Sequence, residues 1–182
     1  MKITQLLTEQ SEFVLGPYYH CGPKFEKFDL AFMGRGENNH LLGHGIYFIN
    51  NTYIAKGYAK YVQTGDAVLY EVNLRATPED FYCNARKATE SQVERYNQLA
   101  KELGYATWND VPFRHSVMKY GRGLPGVVFE RFGPHRGCEI LRNHSILGQF
   151  EEVDDGVFEV AVYDTSIIQI TNTTSVDSHT IS

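Results

Sequence analysis

Two tyrosines, one carboxylate and one histidine are the residues of this chain whose types and surroundings invite chemistry. Tyr47 lies in Gly45-Ile46-Tyr47-Phe48-Ile49-Asn50-Asn51, a run of β-branched and aromatic residues between turn formers, which predicts a short buried strand. Asn51 or Thr52 can cap a following helix, in which Ile54, Ala55, Tyr58, Ala59 and Val62 recur at helical spacing. Tyr47 and Tyr58 thus stand eleven residues apart, one on a strand and one on a helix. Such a unit can place two rings on facing walls of a slot, and a flat aromatic ligand fits a slot of that kind by stacking. Glu159 begins the apolar strand Glu159-Val160-Ala161-Val162-Tyr163. Glutamate disfavours both strands and burial, so a carboxylate there is costly unless it serves something. Strand geometry puts Glu159, Ala161 and Tyr163 on one face, Val160 and Val162 on the other. His20 stands near the end of the extended segment Phe13 to Cys21, which Gly16-Pro17 interrupts.

The elements that must position these residues read as follows. A length of 182 residues predicts one domain, 1–182, with a single core and a polar, frayed tail from about 172. A short helix is expected over 4–12, a loop over 33–45, a strand over 67–74 and a helix over 87–103 that stops at Gly104. Residues 126–130 read as a short strand, 138–149 as ambiguous with a helical leaning, and 157–163 and 167–171 as strands. Strands dominate, so the fold class is α+β with mainly antiparallel pairing.

Composition excludes some classes. No apolar run approaches the roughly 20 residues of a membrane span. Met1 to Ser11 lacks the basic and apolar regions of a signal peptide, and the three cysteines, Cys21, Cys83 and Cys138, are odd in number, so a reduced, cytoplasmic setting is expected. A net charge of −5 argues against binding nucleic acid by bulk charge. His135, Cys138 and His144 match no common zinc spacing, and no metal is expected. Gly34-Arg35-Gly36 is too short for a dinucleotide-binding fingerprint.

The ordered set His20, Gly45-Ile46-Tyr47-Phe48 with Tyr58, and Glu159 resembles the motifs of the ADP-ribosyltransferases, in the His-Tyr-Glu branch of the poly-ADP-ribose polymerases and diphtheria-like toxins. The resemblance spans nearly the whole chain. It implies split antiparallel β-sheets with a few flanking helices, and NAD as co-substrate without a metal. It also implies that His20 bonds the adenine-side ribose and that a glycine backbone grips the nicotinamide carboxamide. Cys21 stands between His20 and Gly22, so either Cys21 or Gly22 supplies that contact. Tyr47 and Tyr58 would sandwich the nicotinamide, and Arg35 can meet the diphosphate or be a solvated loop charge. Nicotinamide leaves NAD as a neutral molecule, so no general acid is needed. Glu159 would stabilise the oxocarbenium-like transition state and hold the 2′-hydroxyl. Arginine-directed relatives carry Glu or Gln two residues before the catalytic Glu, where this chain has Val157.

The implied activity is mono-ADP-ribosyl transfer to a macromolecular acceptor, protein or single-stranded nucleic acid. The compact size is similar to that of bacterial or phage toxins and effectors, with a neutralising antitoxin among the partners and no membrane. The alternatives are a NAD glycohydrolase and a non-catalytic module that binds NAD or ADP-ribose. Residues 77–150 interleave Arg86, Lys87, Arg95, Arg114, Lys119, Arg122, Arg131, Arg136 and Arg142 with aromatics, which suits either phosphate contact with base stacking or a solvated surface over an aromatic core.

Overall fold

The computed structural model describes residues 14–32, 42–62, 66–83, 88–112 and 122–176. Arg35 and the helix expected over 4–12 lie outside them. In chain order the regular elements are β1 (Val14–Pro23), β2 (Ile46–Ile49), α1 (Thr52–Gly57), β3 (Ala67–Arg75), β4 (Phe81–Tyr82), α2 (Glu90–Glu102), α3 (Gly123–Asn143), β5 (Gly148–Asp154), β6 (Val157–Val162) and β7 (Ile168–Val176). The strands form one sheet in the order β4-β5-β6-β2-β1-β3-β7. Every pairing is antiparallel except β4 with β5. The chain is α+β.

In place of two separate sheets there is one sheet with a narrow waist. β2 pairs with β6 along all four of its residues, and β1 pairs with β3 from Val14↔Arg75 to Pro23↔Ala67. β1 and β2 themselves share the single register pair Tyr19↔Ile49. Beyond it the two strands part, one towards His20, Cys21 and Gly22, the other towards Tyr47.

The two faces of the sheet are covered differently. One buries Phe28, Ile46, Phe48, Tyr70, Val72, Val160 and Val162 as a single apolar cluster. The other carries two covers. α2 and α3 bring Tyr96, Leu99, Leu124, Val128 and Phe129 against Ala161 and Tyr163. α1 and the 3-10 turn after it bring Ala55 and Ala59 against Cys21, Ile49 and Leu69. The odd residues of β6 therefore face these covers and the even ones the opposite core, as the period of two requires.

Two sequence expectations are corrected. Residues 126–130, expected as a strand, lie inside α3, which is two helical segments joined at Gly133, φ 74°, just before Pro134. Gly126, Val127, Val128 and Phe129 are all buried, so tertiary packing overrides the β-preference of the sequence. The polar stretch after 171 is strand as far as Val176, because Asn172 to Val176 pair with Glu71 to Ala67. The helix expected over 87–103 is α2, capped by Thr89 with Gln92 and stopped before Gly104 at φ 83°.

The chain entering β2 is clamped by two phenols. The Leu42 N–H donates to the Tyr47 hydroxyl at 3.1 Å, and the Leu42 carbonyl accepts from the Tyr163 hydroxyl at 2.5 Å. Tyr163 is fully buried. Tyr163→Phe leaves that carbonyl without its donor in a dry site and is expected to cost about 1–3 kcal/mol, read as a lower urea midpoint with an unchanged slope.

Candidate active site

The site lies on the doubly covered face, where β1 and β2 part. Tyr47 is on β2 and packs against the α2/α3 cover, whereas Tyr58 belongs to the α1 cover. The Tyr47 hydroxyl donates to Gly43 O at 2.7 Å, which orients the ring. Tyr58 opens the 3-10 turn Tyr58–Tyr61 that continues α1. The Asn51 side chain accepts from Tyr53 N at 2.9 Å and Ile54 N at 3.1 Å, so Asn51 rather than Thr52 is the cap. The ring neighbour of Tyr58 is Tyr61, 6.2 Å between centroids, and its ring does not touch that of Tyr47. The two rings are thus carried by different covers.

Glu159 lies in register with Ile49, two residues along β2 from Tyr47, on the same face. Burial and then the charge of Glu151 raise its pKa to about 6. Its charge in turn adds to the burial that pushes the Tyr47 and Tyr58 hydroxyls upward, so the three groups form one electrostatic unit. Asn50 fixes the strand around it. Its N–H donates to Phe158 O at 3.1 Å, its Oδ1 accepts from Phe158 N at 2.8 Å, and its Nδ2 donates to Gly156 O at 3.0 Å.

The His20 ring lies on the other face of the sheet and meets the site through the backbone of Tyr47. Its Nδ1 lies 2.9 Å from Tyr47 O. A carbonyl can only accept, so Nδ1 carries the proton and Nε2 keeps its lone pair. Burial lowers the His20 pKa, only partly opposed by that bond, which holds the ring neutral near pH 7. The imidazole is walled by Phe28, Phe48 and Tyr70, with ring centroids at 5.3, 5.8 and 6.3 Å. Nε2 has no hydrogen-bond partner among the described residues. A Cβ added at Gly22 would lie 2.9 Å from Nε2, so glycine there keeps that nitrogen unobstructed. The Cys21 side chain is buried on the opposite side, against Ile49, Ala55 and Leu69, with its thiol pushed up by burial.

The structure therefore brings Tyr47, Tyr58 and Glu159 together and ties His20 to Tyr47 through the backbone. Sequence reasoning did not single out Glu151 as a member of the site. It stands directly opposite Glu159, and its Oε1 takes an ion pair from Arg122 at 2.8 Å. Only the β5–β6 register reveals it. No sequence spacing specifies an antiparallel partner whose strand is polar along half its length.

The aromatics of 77–150 divide. Tyr82, Tyr96, Trp108 and Phe129 are core residues and offer no platform for bases. Of the cations, Arg95 is committed to Glu79 O and Ser145 O, and Arg131 to Leu103 O. Cys138 is buried with its Sγ donating to His44 O, and His144 bonds Ile140 O and Glu102. Among the described residues no three His, Cys, Asp or Glu side chains gather as a metal site, and no helix is long and apolar enough to cross a membrane.

No protein-family model, curated protein or solved structure matches this chain. The functional reading rests on the site itself.

The raised pKa of Glu159 has a consequence for stability. A carboxyl whose pKa rises on folding binds its proton more tightly in the folded state. Its contribution is full below the ordinary value of 4.5 and is lost as pH rises through about 6. Glu159→Gln, neutral throughout, is expected to melt higher than the wild type at pH 7.5. The gain is on the order of 1 kcal/mol once solvent screening is allowed for, and it disappears below pH 4.5. Parallel thermal scans at the two pH values check it.

Proposed function

We propose that the chain is an ADP-ribosyltransferase that cleaves the nicotinamide–ribose bond of NAD and passes ADP-ribose to a macromolecular acceptor. The observation that carries the proposal is Glu159, a partly desolvated carboxylate electrostatically joined to two tyrosines that belong to separate covers. The waist of the sheet, where β1 and β2 part after one register pair, supports the split-sheet fold that this chemistry uses in the family the motifs resemble.

The roles follow from the leaving group. Nicotinamide is cationic in NAD and neutral when it departs, so positive charge builds on the ribose rather than on a proton acceptor. A carboxylate in a partly dry site stabilises that charge strongly, and a fixed one does so without reorganisation. Glu159, whose neighbour Phe158 has its backbone held by Asn50 just past β2, fills that role. Tyr47 and Tyr58 hold the nicotinamide ring by stacking. His20, neutral with Nε2 as an acceptor, takes a ribose hydroxyl, and Gly22 leaves room for it. Retention of a costly carboxylate favours turnover over mere binding of NAD.

Tyr58→Ala is expected to weaken NAD binding by about 1 kcal/mol, roughly fivefold, through lost stacking, measured by calorimetry on the folded variant. Glu159→Gln is expected to cut nicotinamide release about a hundredfold or more while NAD affinity stays within a few-fold, because the charge it removes acts on the transition state. Gly22→Ala and His20→Ala are expected to damage NAD affinity as well as rate. A Glu159→Gln enzyme that releases nicotinamide at the wild-type rate overturns the proposal.

A further inference from the structure

Resting on the activity just proposed, we infer that Glu151 is a second catalytic carboxylate, the base that takes the proton of the acceptor, and that the acceptor is therefore a hydroxyl or N–H group rather than a carboxylate. Three observations carry this. Glu151 and Glu159 are a directly opposed register pair on β5 and β6. Such pairs hold their Cβ atoms about 5 Å apart on one face, and two like charges so placed are destabilising, so their retention calls for a reason. Next, the two oxygens of Glu151 are in different states. Oε1 is held at 2.8 Å by Arg122, at the N-cap of α3, whereas Oε2 is buried and has no hydrogen-bond partner among the described residues. One oxygen is thus anchored and the other is left with its lone pairs unused, which is the arrangement a positioned base needs. Finally, the register places Glu151 opposite Glu159 and Tyr47 opposite Ala161, two residues further along the same face of β6, and the charges of both carboxylates bear on the Tyr47 hydroxyl.

The chemistry divides between the two carboxylates. The bond from the ribose anomeric carbon to the nicotinamide nitrogen breaks, and its electron pair leaves with nicotinamide. A lone pair of the acceptor oxygen or nitrogen forms the new bond to the same carbon. The acceptor's proton passes to Glu151 Oε2 and then to water. NAD and the protonated acceptor become ADP-ribosyl acceptor, nicotinamide and one proton. A carboxylate acceptor has no proton to lose and needs no such base.

The test uses small nucleophiles that differ in carrying a proton. Wild type and Glu151→Gln are incubated with NAD in the presence of methanol or sodium azide, and the ADP-ribosyl products are separated by chromatography. For the Gln variant, formation of methyl ADP-ribose and of free ADP-ribose is expected to fall about a hundredfold, the scale of a lost general base, while the azide product does not fall. Glu151→Asp, which keeps the charge but withdraws it, is expected to fall between the two and serves if the Gln variant does not fold. Undiminished methanolysis in a folded Glu151 variant, or equal losses with methanol and azide, overturns the assignment while leaving the activity standing. A wild-type protein that releases no nicotinamide overturns both.

Discussion

The structure depends on how its sheet is joined across the middle. Tyr19 and Ile49 are the one register pair between β1 and β2, and just beyond it the His20 imidazole donates to the backbone of Tyr47. A longer ladder here would satisfy more backbone but would close the space in which His20, Gly22 and Tyr47 present themselves. The imidazole supplies the bond that the missing ladder would have made. In doing so it settles its own tautomer, so the contact that holds the halves together also prepares a nitrogen to accept a hydrogen bond.

The site is built at a cost in stability, and the neighbouring contacts offset it. Glu159 is partly desolvated and faces a like charge on Glu151. Each of these destabilises a sheet. Arg122 removes part of the strain by pairing with one oxygen of Glu151, and Asn50 fastens the β5–β6 turn with three hydrogen bonds. On the β2 side, the Leu42 peptide is taken at both ends by Tyr47 and Tyr163. These contacts hold Glu151 Oε1 and the Phe158 backbone beside Glu159 in place.

The two tyrosines sit in different covers of the same face. Tyr47 leans on the α2/α3 cluster, whereas Tyr58, in the turn that continues α1, packs with the α1 cover.

Much of this was legible in the chain alone. The sequence places Glu159 at the beginning of an apolar strand, whereas β6 starts at Val157; the alternation along β6 assigned its face correctly, because a period of two is a local property. The strand–cap–helix unit around Tyr47 and Tyr58 could be read for the same reason, as could α2 with its cap and its glycine stop. What only the tertiary structure decided is everything that depends on partners distant in sequence. Residues 126–130 prefer strand locally, and burial against Tyr82, Trp108 and Tyr163 made them helix. The polar residues after 171 looked frayed, and pairing with β3 made them strand. Glu151 opposite Glu159, and the parting of β1 from β2, follow from register between strands, which no local pattern encodes because it is set by how the whole core closes.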